Sequence, residues 1–135
     1  MTIANTCVLI AAVLPIVTVF LAKASTAGKR RAEGGFDNNH PRNWFTKQSG
    51  WKARAIAAHS NGFEILPIFV FAVLAAQGAA LDQGRTDQLA MAFIAARLVY
   101  TAIYLADIAA LRTVVFTVGL GVAIAIFAPT LNLPF

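Results

Sequence analysis

The sequence predicts an all-α membrane protein, built as a bundle of four transmembrane helices. Three observations carry that reading. Of 135 residues, 59% are hydrophobic and 13% charged, with a mean hydropathy of +0.69, whereas ordinary soluble domains are about 25% charged. The apolar residues gather into four stretches, each long enough to cross a hydrocarbon core of about 30 Å. The net charge of +5 sits in a single segment between two of those stretches. The length suits a single domain, residues 1–135.

The first span, residues 3–22, contains no charged residue. Pro15 inside it is tolerated in a membrane helix, where neighbouring helices re-satisfy the freed backbone. A cleaved signal peptide is the alternative, because Ala22-Lys23-Ala24 loosely imitates a small-x-small cleavage site. No basic residue precedes the run, however, and the run is longer than a signal core, which favours a span. The second span covers about 53–77 and holds the uncharged run Ile65–Ala76, with Pro67 inside. The third covers about 88–106, interrupted only by Arg97. The fourth runs over about 111–133, with Pro129 and Pro134 near its end.

Residues 23–52 hold Lys23, Lys29, Arg30, Arg31, Arg42, Lys47 and Lys52 against Glu33 and Asp37, which accounts for the whole net charge. Elsewhere Arg54, Arg85, Arg97 and Arg112 cancel Glu64, Asp82, Asp87 and Asp107. The positive-inside rule therefore places loop 23–52 in the cytoplasm and both termini outside. Nucleic acid is excluded as a partner, because that binding needs a basic stripe on a folded surface with base-reading or stacking residues. The loop is expected to lie as a basic strip against anionic lipid headgroups, in preference to ordering as a lid. The lone cysteine, Cys7, allows no internal disulfide and no cysteine-based metal cluster. It reads as a small apolar filler, and no metal is expected.

Ionisable groups inside spans are expensive, so they have partners or functions. The second span opens with Arg54, His59, Asn61 and Glu64. Asn61 and Glu64, three apart, share a helical face, and Arg54, seven before Asn61, falls on nearly the same stripe. His59 points about 200° away from Asn61 and serves a different contact. In the third span Arg97, Tyr100, Thr101, Tyr104 and Asp107 form one polar stripe, and Arg112 opens the fourth span. Glu64 is the natural counter-ion for Arg97. Together these groups suit a polar, anionic, peptide-like ligand, because arginine recognises carboxylates in bidentate fashion. A purely structural set is the competing reading: a buried Arg97–Glu64 pair, Asn61 holding helices together, packed tyrosines, and Arg54 and Arg112 reaching to headgroups.

The pattern Arg54-Ala55-x-x-Ala58-His59-x-Asn61-x-x-Glu64-x-x-Pro67 resembles the second-helix signature of the MAPEG family. That family comprises membrane-associated proteins of eicosanoid and glutathione metabolism. Arg97-x-x-Tyr100-Thr101-x-x-Tyr104-Leu105 resembles its third-helix signature, and Arg112-Thr113-x-x-Phe116-x-x-Gly119 the opening of its fourth. Phe36-Asp37-Asn38-Asn39-x-Pro41-Arg42 is similar to the bacterial branch, which implies an inner-membrane location.

The resemblance implies a homotrimer with glutathione, as co-substrate, bound between subunits on the cytoplasmic side. It implies a transferase or peroxidase acting on lipophilic small molecules that arrive through the membrane lipids. Carried over by motif, Asn61 and Glu64 would contact the glutathione backbone, with Glu64 at its amino end. Tyr100 and Tyr104 would hydrogen-bond the tripeptide, and Arg54 would meet a carboxylate. Arg112 would be the catalytic residue, stabilising the thiolate. Arg97 would be a structural charge beneath the site, and His59 a structural polar contact. Two positions depart from active members. Ala57 stands where many carry an arginine, and Asp107 lies near Arg112, where it would either pair with Arg112 or with a loop lysine. A non-catalytic lipid-binding or scaffold member of the same family is the alternative.

Overall fold

The computed structural model describes residues 1–132, so Pro134 and the last residue of the fourth expected span lie outside the described residues. The described chain is all-α. Four long helices dominate: α1 (Ile3–Ala24), α3 (Gly50–Gly78), α4 (Gln83–Leu105) and α5 (Ala109–Phe127), with a short α2 (Pro41–Thr46) in the basic loop. The four long elements are each apolar enough to cross a membrane, the last counted with the 3-10 turn Ala128–Asn132 that continues α5.

Helix boundaries follow capping chemistry more closely than hydropathy. The Thr2 hydroxyl accepts from the Asn5 amide at 3.2 Å and starts α1. Asp82 accepts from the amides of Gly84 and Arg85 at 2.8 and 3.2 Å, so α4 begins several residues ahead of its apolar run. It ends in a Schellman arrangement, in which Ile108 donates to the Ile103 carbonyl and Asp107 to that of Tyr104. Asp107 is therefore not on the helical stripe expected of it. It occupies the left-handed turn position, at φ +66°.

Helices α3 and α4 pack on each other and on both flanking helices, while α1 and α5 do not touch. The core is built from small residues, among them Ala4, Cys7, Ala11, Ala76 and Ala90, around the fully buried Phe69 and Phe93. Small residues let membrane helices approach closely, and the two rings fill the centre, stacked at 3.9 Å between centroids. On the opposite surface Leu9, Phe20, Phe71, Leu74, Leu98 and Val118 are exposed, as a lipid-facing exterior requires.

The α1–α3 contact sets the register of the site. Gly62 lies against Pro15 so closely that a Cβ would overlap the proline ring. His59 Nδ1 donates to the Pro15 carbonyl at 3.0 Å, the separate interhelix contact that its position on the helix anticipates. At the other end of the bundle, the Asp87 carboxylate accepts from the Ala4 amide at 2.8 Å and from Gln83 at 2.7 Å.

The basic loop is folded against the bundle. Trp44 is buried with Ala22 and Ala55, and Phe36, Phe45, Ile56 and Leu105 pack around them. Its indole N–H donates to the Gly34 carbonyl at 3.1 Å, and Lys23 lies 4.6 Å over the Phe36 ring. Burying an aromatic side chain of this size removes about 150–250 Å² from water, which offsets the cost of ordering a few loop residues, and no hydropathy pattern in a polar loop announces it.

Candidate functional site

The polar residues converge at the loop end of α3, α4 and α5. Arg97 is the deepest, 4% exposed. Its Nη2 donates to Asn61 Oδ1 at 3.0 Å, and Asn61 Nδ2 in turn donates to Glu64 at 3.3 Å. The expected Arg97–Glu64 counter-ion contact is thus replaced by a relay through Asn61. Glu64 is exposed and makes no ion pair among the described residues. The packing of α3 on α4 brings Asn61, and not Glu64, level with Arg97. Arg97 Nη1 is buried without a hydrogen-bond partner among the described residues. The face of Tyr100, 4.2 Å from the guanidinium carbon, covers the cation.

A ladder of aromatic and cationic groups continues from there. Tyr100 and Tyr104 meet edge to face at 5.6 Å. Arg112, from the first turn of α5, lies 4.4 Å over the Tyr104 ring. Asn61, Tyr100, Arg112, Thr113 and Phe116 line an open groove of about 200 Å³. Thr113 and Phe116 were not singled out as site residues from the sequence. Phe116, four residues after Arg112 on a helix, shares its face and carries a signal, whereas Thr113, one residue after it, does not.

Arg54 lies apart from this groove. Its Nε donates to the Leu105 carbonyl at 3.0 Å, and Nη1 meets Asp107 Oδ2 at 3.3 Å. Asp107 therefore takes neither Arg112 nor a loop lysine as its partner. Arg54 closes the end of α4, using a carbonyl that the helix leaves unsatisfied, and it neutralises the acid that threatened Arg112. Ala57 is half-buried and supplies no cation. Among the described residues, no three His, Cys, Asp or Glu side chains gather as metal ligands would.

The arrangement has a definite chemical capacity. Arg112 is a half-buried cation with no acidic partner among the described residues, presented beside a tyrosine and an amide in a groove that opens on the flank of the bundle. Such a group favours an anion held against it. The MAPEG family model matches residues 3–132 of the chain. Neither a curated protein nor a solved structure matches it.

Proposed function

The chain belongs to the MAPEG family, and we propose that within it the protein is a glutathione-dependent transferase or peroxidase acting on lipophilic electrophiles. The observation that carries this reading is the freedom of Arg112. Arg54 holds the nearby Asp107, so the guanidinium over Tyr104 keeps its charge for the groove.

Glutathione would lie along the stripe, with its ammonium at Glu64 and its polar backbone at Asn61, Tyr100 and Tyr104. Its sulfur would sit at Arg112. A free thiol has a pKa of about 8.5 and reacts as the thiolate. A guanidinium fixed at the membrane boundary stabilises that anion without reorganising during the reaction. The thiol proton leaves to solvent, and the sulfur lone pair forms a C–S bond as the electrophile's leaving group departs. Lipophilic substrates reach the groove sideways through the bilayer.

The groove of about 200 Å³ is smaller than the roughly 300–1,000 Å³ of a small-molecule pocket. A second copy of the chain laid against this flank would complete it, in keeping with the homotrimer that the resemblance implies. In this assembly loop 23–52 and the site face the cytoplasm of a bacterial inner membrane, and both termini lie outside. The half-buried Ala57, which leaves the stripe one cation poorer, favours the second reading, a non-catalytic lipid-binding or scaffold protein.

Calorimetric titration of the detergent-purified protein with reduced glutathione, repeated with Arg112→Leu and paired with turnover of a hydrophobic electrophile, separates the two. The enzyme reading expects saturable binding in the parent chain and loss of conjugation in a still-assembled Arg112→Leu protein. Absence of binding at millimolar glutathione selects the second reading, and unchanged turnover in the variant removes Arg112 from the mechanism.

A further inference from the structure

The folded loop encloses a second hollow, distinct from the groove at Arg112. Its volume is about 610 Å³, and its cationic lining is Lys29, Arg31, Lys47 and Lys52. The two acids of the loop, Glu33 and Asp37, also line it, and both make contacts within the loop. Glu33 accepts from the Arg30 amide at 3.3 Å. Asp37 accepts from the Asn39 amide at 3.0 Å and meets Arg31 at 3.4 Å and His40 at 3.3 Å. These contacts hold its carboxyl below the usual 3.8, the Asn39 amide foremost. Lys29, Lys47 and Lys52 have no acidic partner among the described residues.

The walls are fixed by the fold. Trp44 anchors the Gly34 carbonyl. The Gly35 amide donates to the Arg30 carbonyl at 3.0 Å, and a Cβ on Gly35 would overlap the Lys29 carbonyl. The chain is thus pinned at the turn that carries Lys29 and Arg31. From the opposite side α3 delivers Lys52 in its first turn. This helix has 29 residues, about 43 Å at 1.5 Å per residue, against a hydrocarbon core of about 30 Å. The excess length, with Lys52 and Arg54 in the first turns of α3, allows this end to stand clear of the core, with the hollow at headgroup level.

We propose that this hollow is a binding site for a phosphate-bearing anion on the loop side of the membrane, held by Lys29, Arg31, Lys47 and Lys52. Asp37 meets Arg31 at its Nε, which leaves the two terminal nitrogens of the guanidinium for phosphate oxygens. The lysines act as point charges around it. The volume suits a headgroup or a small organic phosphate. Topology alone asks for positive charge in this loop; it does not ask for a walled hollow lined by four such cations against two acids. The phosphate arrives either on an anionic phospholipid or as a soluble ion.

The full chain in neutral detergent is titrated with short-chain phosphatidylglycerol, with phosphatidylcholine and with inorganic phosphate. Two charge-matched variants accompany it: Lys29→Gln/Lys52→Gln inside the hollow, and Arg30→Gln/Arg42→Gln outside its lining. Saturable binding of phosphatidylglycerol or inorganic phosphate is expected, weakened about tenfold or more by the lysine pair, at roughly one kcal/mol per cation near an anionic surface. The arginine pair is expected to change it less than about threefold, because neither side chain lines the hollow and exposed charges outside it are partly screened. Preference for phosphatidylglycerol identifies a lipid site, and preference for inorganic phosphate a soluble ligand. Equal losses in both variants would reduce the effect to general charge and overturn the proposal, as would binding of phosphatidylcholine alone or of none of the probes.

Discussion

Asp107 is paired with Arg54, at 3.3 Å, from the left-handed position that ends α4. The turn and the ion pair make separable contributions. Asn tolerates that backbone and Val does not. Asp107→Asn is therefore expected to cost under about 1 kcal/mol, since the carboxylate is mostly exposed and such pairs contribute little. Asp107→Val should cost about 1–2 kcal/mol more through the backbone. Thermal unfolding in detergent compares them, and equal losses would mean that the charge, not the turn, secures the junction.

Glu64 is exposed and accepts only from Asn61 among the described residues. Gln retains an acceptor at that point, so Glu64→Gln should leave the bundle and its assembly intact. It removes the charge offered to the glutathione ammonium. A hydrogen bond to a charged group contributes about 1.5–3 kcal/mol, so glutathione affinity should fall about tenfold or more. Dissociation of the assembly instead would show that Glu64 balances Arg97 across Asn61, and that its role is structural.

The features legible in the sequence are those that a helix repeats locally. The stripe from Arg97 through Tyr100 to Tyr104 follows from the 3.6-residue period, and the structure adds the cation of Arg97 over Tyr100 and the edge-to-face contact of Tyr100 with Tyr104. His59 is assigned to another contact by the same arithmetic, and it bonds Pro15. Features that depend on how one helix slides along another were not legible. Asn61, not Glu64, meets Arg97 through the way α3 sits along α4, while Gly62 seats on Pro15 of α1. Arg54 reaches Asp107 because the Schellman turn directs that carboxylate away from Arg112. The folded loop depends on one tryptophan finding Gly34 ten residues back, a pairing without periodicity.

Gly62 is the position where the register can be tested directly. A methyl group there overlaps the Pro15 ring, and overpacking a tight contact costs about 1–3 kcal/mol. Gly62→Ala should lower the unfolding midpoint and also lengthen the His59–Pro15 and Asn61–Arg97 contacts, since both neighbours lie on α3. Gly62→Ala combined with Pro15→Ala should recover part of the loss, because the offending ring carbon is removed. No coupling between the two changes would place the register elsewhere.

Arg97 and Asn61 give the sharpest contrast. The cation is buried, with one hydrogen bond to Asn61 and one nitrogen unpartnered among the described residues. Removing its partner leaves the charge in place, so Asn61→Leu should destabilise the protein by about 3 kcal/mol or more. Arg97→Met removes the charge and keeps most of the side-chain volume, and replacing a buried ion by an apolar group is often neutral or better. Arg97→Met is therefore expected to unfold at or above the midpoint of Asn61→Leu, and the double variant should resemble Arg97→Met. A larger loss in Arg97→Met would mean that stacking on Tyr100 outweighs desolvation of the guanidinium. Arg97 would then hold the tyrosine that lines the groove, and its role would extend from beneath the site to its shape.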